Sequence, residues 1–291
     1  VVWGAAASQG EQQPEVSFRV EVRLVRLLVT VKDLNGRLIG GLNQDDFAVV
    51  DSGVPQEIAV FERRTEQPLS IALLIDTSGS TAREQRYAIE SAGRFLRALT
   101  SEGNPKDALA LYSFNHEVTL HTSYTRDVQQ VKAALKRLKS EAGTSMYDAI
   151  TLSAERLRDR EGRKVVVIVT DGGDTTSYRT YQDALRALHD ADVILYAILV
   201  APIASESGRN IGGENALITM AASTGGRMFT PAIGAELDSA FVGILRDLRT
   251  QYLIGYYPKA LPAQRSDFRR VQVEVRRADL QVFSRAGYYE K

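Results

Sequence analysis

No cysteine occurs among the 291 residues. Disulfides, thiolate metal sites and cysteine nucleophiles are therefore excluded. Export is not, because a chain of this length can bury a sufficient core without covalent staples. An excess of charge of either sign is also missing: Lys+Arg and Asp+Glu both number 36, giving a formal net charge of zero. A balanced chain lacks the concentrated basic surface that nucleic acid requires. The local pairs Arg269-Arg270 and Arg276-Arg277 fall in strand-like sequence and read as solvated strand faces. Long apolar runs are absent as well; no stretch of about 18 apolar residues exists, so no helical membrane span is expected. There is no G-x-x-x-x-G-K-[ST] loop to cradle a nucleotide phosphate.

What remains is a globular composition, 44% hydrophobic and 25% charged, with three changes of periodicity along the chain. Residues 1–17 read as a flexible tail. Its start, Val1-Val2-Trp3-Gly4-Ala5-Ala6-Ala7-Ser8, is apolar and then small, as at the end of a signal peptide. Export to the periplasm, cell envelope or medium is the expectation. Residues 18–66 carry strand patterning: Val20, Val22 and Leu24 alternate with polar neighbours, Asn35-Gly36 signals a hairpin, and Asp51-Ser52-Gly53 separates two short strands. In residues 67–250 strands alternate with helices. Leu69–Ile75, Val165–Thr170 and Val193–Val200 are continuous apolar runs, as in strands buried on both faces. Helical stripes lie between them, including one capped by Asp127 and running to Leu138. This order implies an α/β fold with a doubly wound, mainly parallel sheet. Residues 251–291 return to strands, and the simplest closure lets them complete one β-sandwich with residues 18–66. The α/β region is then an insertion. Tyr252, Tyr256 and Tyr257 read as core aromatics.

In an open parallel sheet, ligands sit beyond the carboxyl ends of the strands. Leu69–Ile75 ends in Asp76-Thr77-Ser78-Gly79-Ser80, and Val165–Val169 ends in Thr170-Asp171-Gly172, so both carboxylates emerge at one rim. Gly143-Thr144-Ser145 precedes a helix that can reach the same rim. In an extended loop alternate side chains point the same way, so Asp76, Ser78 and Ser80 converge while Thr77 faces the scaffold. Carboxylates with hydroxyls form a hard oxygen set that suits Mg²⁺, Mn²⁺ or Ca²⁺. Asp148 and Asp174 are further acids nearby. Asp174 reads as solvated, and Ser145 as a helix cap. The scattered acids Asp33, Asp45, Asp46 and Asp51 read as turn residues.

D-x-S-x-S after a buried strand, a distant G-T, and T-D-G before a helix together resemble the metal-ion-dependent adhesion site of von Willebrand factor type A domains. The resemblance covers roughly residues 67–250 and fills all five motif positions: Asp76, Ser78, Ser80, Thr144 and Asp171. It implies one divalent metal, Mg²⁺ first, with one coordination position left for the Asp or Glu of a partner protein. Val31-Lys32-Asp33-Leu34-Asn35-Gly36, Gln251-Tyr252-Leu253-Ile254-Gly255-Tyr256-Tyr257-Pro258 and Ala286-Gly287-Tyr288-Tyr289 are similar to a bacterial, largely acidobacterial, "VWFA-related" group. The function so implied is metal-dependent protein binding, in adhesion or assembly, without catalysis. The alternative is a structural component of a cell-envelope assembly in which the metal only stabilises loops. A hydrolase reading rests on Ile75-Asp76-Thr77, His116 or His121, and Gly143-Thr144-Ser145-Met146, which follow the chain order of subtilisins. It leaves Ser78, Ser80 and Asp171 without a role. A metal-assisted hydrolase would want a second carboxylate cluster that the sequence does not display.

Overall fold

Val25–Asp33 (β1) sends Val25, Leu27, Val29 and Val31 into one core and leaves Arg26 exposed, as a two-residue period dictates. The computed structural model describes residues 24–63, 66–81, 85–200, 210–232, 235–259 and 267–290. The expected tail 1–17 and the strand expected from residue 18 to 23 lie outside the described residues. After β1 come Phe47–Asp51 (β2), Val54–Gln56 (β3), Ile58–Glu62 (β4), Leu69–Asp76 (β5), Gln85–Glu102 (α1), Ala108–Phe114 (β6), Val118–Thr125 (β7), Val128–Leu135 (α2) and Met146–Leu157 (α3). The chain continues through Arg163–Thr170 (β8), Tyr181–Asp190 (α4), Val193–Leu199 (β9), Ile211–Ser223 (α5), Met228–Phe229 (β10) and Ala235–Arg249 (α6). It closes with Tyr252–Tyr256 (β11), Phe268–Val275 (β12), Leu280–Phe283 (β13) and Gly287–Tyr289 (β14).

The central sheet has the order β10-β9-β8-β5-β6-β7, parallel except for β7. Alternation splits its strands between two cores. Ile71, Leu73 and Ile75 of β5 join Val165, Val167 and Val169 of β8 under α1 and α6. Ala72 and Leu74 join Val166 and Ile168 under α3 and α4. Helices on both faces are what make these strands apolar without interruption. The helix after Asp127 stops at Leu135, short of the expected Leu138. Arg137 and Leu138 donate to the carbonyls of Ala134 and Leu135, a three-residue tightening that ends the α pattern.

The remaining strands form two antiparallel sheets, β13-β1-β11-β4 and β14-β12-β2-β3, each mixing strands from the two ends of the chain. They share one core, in which Leu27, Phe47, Tyr252, Ile254 and Val273 meet. The α/β part is thus inserted between the two halves of a β-sandwich. Asn35-Gly36 does turn, with Gly36 at φ 79° and Asp33 accepting from the backbone of Asn35 and Arg37. It does not make the expected hairpin: Leu38 meets Lys32 in one isolated bridge, while β1 pairs along its length with β11 and β13. Tyr252 and Tyr256 are core residues as expected, but Tyr257 is 53% exposed because it lies one position past the paired strand.

Candidate metal centre

β5 and β8 are adjacent and parallel, with Ile75 opposite Val169, so Asp76 and the Thr170-Asp171 segment leave the sheet at one rim. Asp76 is the last residue of β5 and is buried. Its Oδ1 accepts the Ser78 N–H at 2.8 Å, and its Oδ2 accepts the Thr170 hydroxyl at 2.6 Å. The Thr81 hydroxyl donates to the Asp76 carbonyl at 3.1 Å. Ser78 Oγ and Ser80 Oγ lie 3.1 Å apart. Thr77 turns the other way, its N–H and its hydroxyl both donating to the Phe114 carbonyl. The segment is not a simple extended loop, however. Gly79–Thr81 forms a 3-10 turn, which brings Ser80 back beside Ser78.

Thr144 reaches the rim through Gly143, whose φ of 82° favours glycine and where a Cβ would stand 2.9 Å from that of His116. The Thr144 N–H donates to Thr175 Oγ1 at 3.0 Å, and its carbonyl accepts from the N–H groups of Thr175 and Thr176. No hydrogen bond to the Thr144 hydroxyl occurs among the described residues. The loop before it is stitched to the first loop: Ser140 donates to the carbonyls of Thr77 and Ser78, and the Glu141 N–H to Thr77. Asp171 is half-buried and accepts the Gly173 N–H at 3.1 Å. Three loops therefore meet: the first and last through Asp76 and Thr170, the first and second through Ser140 and Glu141, the second and last through Thr144 and Thr175. Thr170, Ser140 and Thr175 were not singled out in the sequence. Only Thr170 carried a signal, as the residue before the motif aspartate.

The electrostatics of the rim are those of a site short of positive charge. Burial pushes the Asp76 carboxyl up to about 6; hydrogen bonds from Ser78 and Thr170 oppose that shift, and the charge of Asp171 adds to it. Among the described residues no three of His, Cys, Asp and Glu gather at one place. The donor set here has only two carboxylates, with the hydroxyls of Ser78, Ser80 and Thr144 as neutral partners. That set fits a hard divalent cation, which prefers oxygen ligands.

The flanking acids are structural. Asp148, in the first turn of α3, accepts the N–H groups of Tyr178 and Arg179 at 3.0 and 2.8 Å. Asp174, expected to be solvated, accepts the Tyr147 N–H and the Ser177 hydroxyl. It thereby satisfies an amide at the start of α3 that Ser145 was expected to cap. The Ser145 side chain instead donates to the His116 carbonyl at 3.0 Å and meets Thr176 Oγ1 at 2.8 Å. The ring of His116 faces Glu141 and Glu117, at 3.7 and 4.0 Å, and that of His121 meets Ser113 Oγ at 2.8 Å. The Ser145 hydroxyl is thus engaged by a carbonyl and a threonine rather than by an imidazole. Past the first loop, Arg86 is exposed and paired with Glu90 along α1.

Residues 71–173 match the family model described as von Willebrand factor type A domain. An uncharacterized protein of Mycobacterium bovis is 27% identical over 124 residues, covering 42% of this chain and 17% of that protein. A further uncharacterized protein, of Mycobacterium tuberculosis, is 28% identical over 127 residues, covering 42% of this chain and 20% of that protein. The match thus spans no more than a fifth of the length of these relatives. Among solved structures, the vWF domain of the type V pili tip protein Mfa5 from Porphyromonas gingivalis aligns with a TM-score of 0.52 at 14% identity, covering 62% of this chain and 94% of that one. A mutant of the PilB minor pilin from Streptococcus sanguinis aligns with a TM-score of 0.50 at 11% identity, covering 63% of this chain and 62% of that one. At such identities the likeness is one of fold.

Proposed function

Since the chain carries a von Willebrand factor type A domain, we propose that it is a protein-binding module whose contact point is a divalent cation held by Asp76, Ser78, Ser80, Thr144 and Asp171. The observation that carries this reading is that Asp76, with Ser78 and Ser80 beside it, and Asp171 leave adjacent parallel strands at one rim. A buried carboxylate is pushed up by desolvation and by a neighbouring acid, with hydroxyls alongside. Bound there, Mg²⁺, or Mn²⁺ or Ca²⁺ in its place, would supply a Lewis-acidic position for the Asp or Glu of a partner protein. The chain's own residues do the rest. Thr170 and the Ser78 amide hold the Asp76 carboxylate in one orientation, Thr175 holds the Thr144 backbone, and Asp148 and Asp174 fasten the loop that follows Asp171. Such a centre needs no catalytic base. An interface of standard size, about 1,600 Å² in all, would supply specificity around it.

The two solved structures named above come from pilus proteins, and we place this chain likewise at the cell envelope or beyond it. The test is affinity capture from a native cell envelope by the wild-type chain and by Asp76→Ala, each with Mg²⁺ and with EDTA. Capture by the wild type in Mg²⁺ alone supports the reading. Equal capture under all four conditions would rule out the metal bridge.

A further inference from the structure

A cavity of about 690 Å³ lies at the opposite rim of the central sheet. It opens where β8 and β9 begin, at Arg163 and Val193, and where β5 is entered, at Pro68. β1 and β11 of the sandwich close its other side. Asp76 stands at the far end of the eight-residue β5, about 23 Å away at the rise of a strand. The cavity is therefore separate from the candidate metal centre.

Its lining departs from the charge balance of the chain. Six cations, Arg26, Lys106, Arg160, Arg163, Lys164 and Arg285, face two carboxylates, Glu161 and Asp192. Counting buried Asp107, whose charge is felt by Arg163, the balance is still six to three. Two of these cations are held by neutral acceptors. Arg163 donates to the carbonyls of Gln67 and Leu248, and Arg160 to the Ser70 hydroxyl. Such bonds satisfy N–H groups without cancelling charge, so a positive potential persists in the cleft. Arg285 pairs with Asp192, and its Nε is buried without a hydrogen-bond partner among the described residues. Arg26 and Lys106 are exposed, and neither forms an ion pair among the described residues. Beneath these charges Leu28, Leu253 and Ile194 supply an apolar wall. The volume is that of a small-molecule site.

We propose that this cavity binds an amphipathic organic anion. Its apolar body would lie on Leu28, Leu253 and Ile194. Its carboxylate or phosphate head would meet the exposed Arg26 and Lys106. The site stands independently of the metal-dependent reading.

The test uses the full chain and the fluorescent anion anilinonaphthalene sulfonate as probe, titrated with the wild type, Lys106→Glu, Arg26→Glu and Asp76→Ala. Each charge reversal at the cavity removes a charge-assisted contact and should raise the probe's Kd about tenfold; Asp76→Ala should leave it unchanged. Circular dichroism establishes that each variant is folded, and Lys106, on an exposed loop, is the variant least able to disturb the fold. Displacement by oleate and by dodecyl phosphate then separates the two head groups. Displacement by either supports the site and assigns its preferred head. Unchanged Kd in both folded charge-reversal variants, or displacement by neither anion, would overturn the proposal.

Discussion

Lys32 of β1 and Asp247 of α6 form an ion pair at 2.8 Å, with 5% and 4% of their side chains exposed. Arg227 donates to the same carboxylate at 2.8 Å. The pair joins the sandwich to the last helix of the inserted domain across 215 positions of sequence. Burial, with a contribution from the charge of Arg227, lowers the Lys32 pKa, and the contact with Asp247 opposes that shift, so the lysine depends on its partner to remain charged. Removing Asp247 should cost more than removing Lys32, because it strands a buried cation, whereas without Lys32 the carboxylate keeps Arg227. Urea unfolding should show Asp247→Leu destabilised by about 3–5 kcal/mol and Lys32→Met by about 1.5–3 kcal/mol. The double variant should recover part of the larger loss. A double variant as unstable as the two losses added together would show that the pair is not coupled.

Asp76 should separate metal binding from stability. Its carboxyl is raised to about 6, so in chelated protein its contribution is full below the ordinary carboxylate range. That contribution is lost as the pH rises through about 6. At pH 8 in EDTA, Asp76→Asn should therefore be more stable than the wild type, by up to about 3 kcal/mol for a shift of this size, and the difference should shrink towards pH 4. Millimolar Mg²⁺ should reverse the order, raising the wild-type Tm by ligand linkage and leaving the variant unmoved. Scanning calorimetry at both pH values reads each arm. A wild-type Tm indifferent to Mg²⁺, Mn²⁺ and Ca²⁺ alike would remove the metal from the account.

His189 titrates in the opposite sense. It is buried on α4, its Nε2 lies 2.7 Å from Ser223 Oγ, and its ring packs against Phe268 and Tyr289 from the C-terminal strands. Burial, helped by the charge of Arg285, pushes its pKa down to about 4. Stability from the neutral imidazole is thus full above about 6.5 and is lost as the pH falls through about 4, by up to about 3 kcal/mol. His189→Gln can keep the hydrogen bond to Ser223 and should flatten this part of the acid-unfolding curve. In Asp76→Asn, where the compensating carboxyl is gone, the loss on acidification should steepen. Chemical denaturation at half-unit pH intervals distinguishes the three slopes.

The sequence displays most readily what has a short period. Ile71 to Ile75 and Val165 to Val169 read as doubly buried strands because both faces of the sheet are covered, and β1 and β12 read as half-buried strands because only one face is. Contacts between distant positions leave no such trace. Asp51, beside Ser52-Gly53, looks like a turn residue, yet it is wholly buried and accepts from the hydroxyls of Tyr256 and Tyr288 at 2.9 and 2.8 Å. Its partners stand more than 200 positions away, and nothing local distinguishes it from Asp33. The candidate ligands are visible as a motif. What fastens them, namely Ser140, Thr170 and Thr175, depends on how three loops approach one another, which no spacing rule encodes. Ser145 illustrates the same limit. Its position before α3 marks it as a cap, but the neighbouring loop carries its side chain to His116 and Thr176 and leaves Asp174 to satisfy the helix.

Gly213 offers a test of how closely the metal rim depends on packing from outside the motif. It lies in the first turn of α5, its N–H donating to Asn210 Oδ1 at 2.8 Å. A Cβ placed there would stand 1.6 Å from the carbonyl oxygen of Gly172 and 2.8 Å from its carbonyl carbon. Both are backbone atoms, so no rotamer change relieves the clash and the chain itself must move. Gly172 cannot yield by a simple change of its own, since its φ of 89° already commits the loop. Gly213→Ala should therefore displace Asp171-Gly172, weakening Mg²⁺ binding although residue 213 supplies no ligand. Overpacking of this kind costs about 1–3 kcal/mol, and a local shift of the loop would spend that cost on metal affinity before global unfolding. The expected result is a Mg²⁺ Kd raised at least tenfold by calorimetric titration, with far-ultraviolet circular dichroism unchanged. Gly212→Ala serves as the control, because a Cβ there comes no closer than 3.5 Å to its nearest contact, Asn210 Oδ1. Equal Mg²⁺ affinity in the two variants would show that the Asp171 loop is positioned independently of α5.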